Sequence, residues 1–135
     1  MLPLQSNDKP EVAPGLRILV ADDDRQVRRV FRIGLERAGF HVIEAVDGED
    51  AITMLQQFEL DALLLDISLP KLDGYGVLSA MGAGACRRVP VVVATGHHDP
   101  DIERCARELG ANDVVTKPIE PRLLASRIKA IVGVS

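Results

Sequence analysis

Leu63-Leu64-Leu65-Asp66-Ile67 is an apolar run that closes on a carboxylate and leads into Ser68-Leu69-Pro70. A short run of this kind between polar boundaries reads as a strand buried on both faces. Asp66 then stands at the carboxyl end of a central strand, where open α/β sheets place their ligands and chemistry. Taken alone, Asp66 could equally cap the strand.

The flanking sequence repeats the pattern. Leu16 to Ala21 reads as a first strand that ends in Asp22-Asp23-Asp24. Three adjacent carboxylates cannot continue a buried strand, so the chain must leave the sheet there. Asp24 is placed to N-cap a helix from Arg25 to about Ala38, with Val27, Val30, Phe31, Leu35 and Ala38 inward and Gly39 as its stop. Arg25, Arg28, Arg29, Arg32 and Glu36 fall on its outer side. His41 to Val46 reads as a second strand, followed by Asp47-Gly48 and a helix to about Gln57 that turns Ala51, Ile52, Leu55 and Phe58 to the core.

After the Asp66 strand, Pro70 and Asp73-Gly74 mark a loop, and a helix runs to about Ala83. Val89 to Ala94 is a fourth strand ending in Thr95-Gly96. His97-His98-Asp99-Pro100 starts a helix that reaches Leu109. Asp113 to Thr116 is a fifth strand ending in Lys117-Pro118. The last helix spans about Pro121 to Val132, with Leu123, Leu124, Ile128 and Ile131 inward. Five strands alternating with five helices predict an α/β fold with a parallel, doubly wound sheet. Residues 16–133 form the domain, and 1–15, with three prolines among polar residues, read as a flexible extension.

Composition narrows the function. A chain of 135 residues with 47% hydrophobic content suits one domain with a real core. Aromatic content is 3% with no Trp, which disfavours a stacking platform for flavin or single-stranded nucleic acid. A net charge of −4 argues against direct nucleic-acid binding by this domain. Cys86 and Cys105 show no metal-ligand spacing and fit thiols in a reducing compartment. No apolar run reaches bilayer length and the N-terminus lacks a signal-peptide pattern, so the expectation is a cytoplasmic protein that makes no membrane contact.

The strand ends carry the chemistry. With sheet order 2-1-3-4-5 the first and third strands are neighbours, and Asp22, Asp23 and Asp66 converge in one crevice with Thr95 and Lys117 on the far side. Like charges at such distances repel and raise one another's pKa. Mg²⁺ resolves this, because it suits a few carboxylates, a carbonyl and several waters. A carboxylate beside Mg²⁺ can attack phosphorus and form an acyl phosphate. The cation, the Lys117 ammonium and the Thr95 hydroxyl can then hold the three phosphoryl oxygens.

At this point the chain resembles the receiver domains of bacterial two-component response regulators, from about Leu16 to Val132. The matching motifs are Ile-Leu-Val-Ala-Asp-Asp-Asp, Asp-Ala-Leu-Leu-Leu-Asp-Ile-Ser-Leu-Pro, Leu-Asp-Gly, Val-Val-Val-Ala-Thr-Gly and Gly-Ala-Asn-Asp-Val-Val-Thr-Lys-Pro. The resemblance implies a flavodoxin-like fold of the chemotaxis-receiver kind. It implies that Asp66 accepts a phosphoryl group from a sensor histidine kinase or a histidine phosphotransfer protein. It also implies that Asp23, Asp66 and the backbone carbonyl of Ser68 ligate Mg²⁺, with Asp22 assisting, and that Thr95 and Lys117 hold the phosphoryl oxygens. The Lys117–Pro118 bond would be cis. Such a domain catalyses its own phosphorylation and dephosphorylation, with no external product, and signals to a downstream protein or output domain.

One departure bears on the switch. Receivers often carry an aromatic residue three positions before the lysine, and this chain has Val114. Output would then rest on Thr95 and loop movement. His97 stands where the family often tunes dephosphorylation, or is simply a solvated loop histidine. The pair His97-His98 is a weak metal suggestion, and Tyr75 fits helix packing. The charged last helix (Arg122, Arg127, Lys129) could support a homodimer through the last helix-strand-helix face, or be a solvated surface. No output domain follows the last helix in this sequence, which fits a stand-alone receiver or part of a longer regulator.

Two other readings compete. A Mg²⁺-dependent phosphohydrolase with an Asp nucleophile needs a second acid two residues on, and that position is Ser68. A scaffold module that works without phosphorylation would be favoured if a key group were missing, and none is. A nucleotide-binding fold lacks its Gly-rich loop.

Overall fold

The computed structural model describes residues 15–133. All of the expected N-terminal extension except Gly15 lies outside the described residues. The elements are β1 (Arg17–Ala21), α1 (Arg25–Arg37), β2 (His41–Ala45), α2 (Gly48–Gln57), β3 (Ala62–Asp66), α3 (Gly74–Gly82), β4 (Val91–Thr95), α4 (Pro100–Glu108), β5 (Asp113–Thr116) and α5 (Pro121–Val132). The strands form one sheet in the order β2-β1-β3-β4-β5, and every neighbouring pair is parallel.

Strand periodicity sorts the core into two layers. Leu19, Leu63, Leu65, Val91 and Val93 turn to the face covered by Ala51 and Leu55 of α2, Val77, Leu78 and Met81 of α3 and Ala106 of α4. Ile18, Val20, Leu64, Val92 and Val115 turn to the other, covered by Phe31 and Leu35 of α1 and by Leu124 and Ile128 of α5. All five residues of β3 are buried, so the strand that carries Asp66 is fixed from both sides. Each fully buried Leu or Val contributes about 1.5–3 kcal/mol relative to exposure.

Helix starts follow the sequence signals. The Asp24 carboxylate accepts from the backbone N–H groups of Gln26 (2.9 Å) and Val27 (3.2 Å). Asp47, Asp73 and Asp99 cap α2, α3 and α4 in the same way.

Three expected inward residues are exposed. Val30 and Leu123 are each 52% accessible and Phe58 is 39%. The sheet-facing stripe of α1 needs only Phe31 and Leu35 with Ala38 beyond its end, and Val30 falls outside it. In α5, Leu124 and Ile128 take the core positions and Leu123 turns to solvent. Phe58 sits past the last turn of α2 in extended backbone, so it leaves the helical stripe. Val46 likewise lies beyond the end of β2 and is exposed.

Candidate functional site

The carboxyl ends of β1, β3, β4 and β5 deliver the site. Asp22 follows β1 directly. Its N–H donates to Ala45 O at 3.2 Å, which fixes where the chain leaves the sheet. Its Oδ1 accepts from the Asp24 N–H at 2.9 Å. Asp66 ends β3, and its Oδ1 accepts from the Ser68 N–H at 3.2 Å. Both carboxylates are nearly sealed from solvent, at 2% and 4% accessible, whereas Asp23 is exposed. One oxygen from each of Asp22, Asp23 and Asp66 lies within 4.8 Å of the others.

Lys117 follows β5 and reaches back across the sheet end. Its Nζ lies 3.3 Å from Asp22 Oδ2 and 3.3 Å from Asp66 Oδ1. Its backbone N–H donates to Thr95 O at 2.7 Å, tying the β5 exit to β4. The Lys117–Pro118 bond is cis, as the resemblance implied. Thr95 is buried, and its Oγ1 accepts from the His97 N–H at 3.2 Å. The hydroxyl is therefore held toward its own loop. His97 and His98 are exposed on that loop.

Charge balance at the site is uneven: three carboxylates face one ammonium. Burial pushes the Asp22 carboxyl above its usual range, and the neighbouring Asp66 adds to the rise; the Asp24 N–H and Lys117 oppose it without cancelling it. Burial alone would lower Lys117, but Asp22 and Asp66 outweigh it and hold the ammonium above its usual range. The oxygens are hard donors, two of the three acids are buried, and the single cation present leaves negative charge in excess. That donor set fits Mg²⁺.

Glycine at position 74 is required by a close approach. A Cβ there would lie 2.8 Å from Ile67 Cα and 2.9 Å from Asp66 O. The N-terminus of α3 is thus seated against the backbone of the phosphoacceptor candidate, and the Gly74 N–H donates to Ile67 O at 2.9 Å.

Residues 18–129 match the family model of the response regulator receiver domain. The chain belongs to the response regulator receiver domain family. This receiver is 36% identical over 116 residues to the ycf27 protein of Guillardia theta, named a "Probable transcriptional regulator" (86% of this chain, 45% of that protein). It is also 36% identical over 116 residues to the alkaline phosphatase synthesis transcriptional regulatory protein PhoP of Bacillus subtilis (86% of this chain, 48% of that protein). The chain therefore spans about half the length of these relatives. Among solved structures, the CheY-like receiver domain protein from Methanospirillum hungatei superposes with a TM-score of 0.80 at 26% identity, covering 87% of this chain and 94% of that one.

The receiver's expected site residues, Asp22, Asp23, Asp66, Ser68, Thr95 and Lys117, all lie at the same end of the sheet. Nothing in the sequence singles out Arg28 as part of the site. Its guanidinium turns inward from α1, donating from Nη1 to Asp22 O at 2.8 Å and from Nε to Glu44 Oε1 at 2.9 Å. Spacing alone put Arg28 on the outer face; only the pairing of β1 with β2, which brings Glu44 beside it, shows its role. Tyr75 packs against the α3-side core, and Cys86 and Cys105 are free thiols.

Proposed function

We propose that this receiver is a phosphorylation-operated switch in a two-component relay, with Asp66 as the phosphoacceptor. The observation that carries the reading is the Lys117 ammonium shared between Asp66 and Asp22 at 3.3 Å each. It accounts for one charge partner of a phosphoryl group already in place, on a carboxylate at the end of β3.

Asp23, Asp66 and the Ser68 carbonyl would hold Mg²⁺, with Asp22 beside them. When bound, the ion supplies neutralisation of the carboxylates and of the phosphoryl oxygens. Asp66 Oδ1 is engaged by Lys117 and by the Ser68 N–H, so Oδ2 is the attacking atom. A bond forms from Oδ2 to phosphorus while the phosphorus–nitrogen bond of a phosphohistidine breaks. The electron pair leaves on the imidazole nitrogen, which takes a proton from solvent. Lys117 moves its charge from the carboxylates toward the phosphoryl oxygens. Thr95 Oγ1 accepts from the His97 N–H at 3.2 Å and donates to His97 O at 3.5 Å, so its proton must leave that carbonyl to reach a phosphoryl oxygen. That donation requires the hydroxyl and the His97 loop to swing toward Asp66. The movement biases the face made by α4, β5 and α5. Water attack on phosphorus later restores the carboxylate, so the domain catalyses its own resetting and releases only inorganic phosphate.

The donor would be a sensor histidine kinase or a histidine phosphotransfer protein. The receiver would act on a downstream protein or output domain, and transcriptional regulation by the relatives points to the kind of output. Homodimerisation through the α4–β5–α5 face is the route by which a receiver without its own nucleic-acid surface would influence such an output. Cytoplasmic placement accords with the two free thiols, and no helix among the described residues is long and apolar enough to cross a membrane.

The test is intact mass after incubation with acetyl phosphate and Mg²⁺. Native protein should gain one phosphoryl group only when Mg²⁺ is present, and Asp66→Asn should gain none. Failure of the native protein with both acetyl phosphate and a phosphohistidine donor would transfer the assignment to a scaffold module.

A further inference from the structure

The loop between β3 and α3 contains the only non-glycine residue with left-handed backbone among the described residues, Lys71, at φ +66°. Around it the Leu72 N–H donates to Pro70 O at 2.7 Å, which closes a three-residue turn. Lysine is disfavoured in such backbone, so something outside the turn must hold it. The holding comes from the start of α2. The Gly48 N–H donates to Pro70 O at 3.3 Å. A Cβ on Gly48 would lie 1.7 Å from Leu72 O, so the turn rests directly on the helix. Lys71 Nζ lies 3.5 Å from Oδ2 of Asp47, whose side chain is only 10% accessible. The other Asp47 oxygen accepts from the Asp50 N–H at 2.7 Å and caps α2.

This turn sits just beyond Ser68. At its other end the loop is fixed by Gly74 against Ile67. The α2 contact thus anchors the turn that begins two residues after Ser68.

We propose that Asp47 and Lys71 are positioning residues for the divalent cation: their ion pair holds the left-handed turn against α2 and so keeps the Ser68 carbonyl aimed into the acidic site. This rests on the Mg²⁺ reading above. Neither residue touches the cation.

The test is the Mg²⁺ dissociation constant of the full chain, measured by isothermal titration calorimetry, with thermal midpoints measured alongside without Mg²⁺. The variants are Lys71→Gly, Lys71→Arg, Asp47→Asn and the double variant Asp47→Asn/Lys71→Gly. Asparagine still caps α2, and glycine accepts the left-handed backbone without a Cβ clash. A simple field effect has opposite signs for the two sites: loss of Lys71 would tighten Mg²⁺ binding and loss of Asp47 would weaken it. A positioning pair has one sign. Lys71→Gly and Asp47→Asn should each weaken Mg²⁺ binding about two- to fivefold, the range of a partly exposed ion pair. The double variant should be no weaker than either single one, and Lys71→Arg should bind as the native protein does. The Lys71→Gly midpoint should stay level or rise as backbone strain is relieved. Tighter or unchanged binding by Lys71→Gly overturns the proposal, as do additive losses or a weakening matched by a fallen midpoint. Absence of Mg²⁺ binding by the native chain overturns the cation reading itself.

Discussion

Lys117 carries an unusual share of the site. One ammonium faces two buried carboxylates at equal distance, and the exposed Asp23 adds a third negative charge nearby. Replacing it by alanine leaves both acids without their charge partner in a poorly hydrated crevice. Lys117→Ala should therefore cost about 1–3 kcal/mol of stability, read as a lower urea midpoint in the absence of Mg²⁺. Saturating Mg²⁺ should close most of that gap, because it supplies the missing positive charge. A loss that Mg²⁺ leaves untouched would mean that the side chain matters for packing and not for charge. Lys117, Asp66 and the acids after β1 were all legible in the sequence, because an apolar strand that stops at a charged residue marks its own end. Arg28 and Lys71 were not. Arg28 acts through a neighbouring strand, and no residue type signals lysine in a left-handed turn.

The packing of α1 against α5 turns on a glycine whose role is opposite to the usual one. An interior helical glycine costs about 1 kcal/mol relative to alanine. At Gly34, however, a Cβ would meet Pro121 Cβ at 2.2 Å. Gly34→Ala should force the two helices apart and destabilise the protein by about 1–3 kcal/mol despite the better propensity; a gain in the urea midpoint would show that α5 can shift freely. The same helix is tied to β2 through Glu44, which pairs with both Arg28 and Arg32. Burial alone would raise the Glu44 carboxyl, but the two arginines outweigh it and hold it below its usual range. Its contribution is thus complete above the unfolded value and is lost as pH falls through the lower native value. The site is partly solvated, so Glu44→Gln should cost only about 0.5–1 kcal/mol at pH 7, and the difference from native should vanish at strongly acidic pH. At this scale the sequence placed all ten elements, since caps, stops and apolar runs are local. It misjudged Val30, Phe58 and Leu123, since the width of a buried stripe depends on which neighbours cover it.

Across the whole molecule, the fold gathers acids at one end of its sheet before any cation arrives. The energetic record of that arrangement is Asp22, whose carboxyl is raised chiefly by burial and then by Asp66. A raised carboxyl binds its proton more tightly in the folded state. It favours folding below the unfolded carboxylate value, and that contribution is lost as pH rises through the native value. Above its raised native value the ion-free protein therefore bears the cost of an ionised, buried Asp22. Cation binding acts on the same charge with the opposite sign. It requires the ionised form and stabilises the folded state by an amount that grows as the logarithm of one plus the ratio of ion concentration to dissociation constant. Millimolar Mg²⁺ should accordingly raise the thermal midpoint at pH 7.5, and the gain should shrink as pH falls and Asp22 takes up its proton. Asp22→Asn removes the penalty and part of the ligand field together. Its midpoint without Mg²⁺ should be less sensitive to pH than that of the native protein, and its response to Mg²⁺ should be smaller. Differential scanning calorimetry across a pH series from acid to neutral, with and without Mg²⁺, separates the possibilities. A Mg²⁺ response that stays the same across the whole series would place the ion on groups other than these carboxylates.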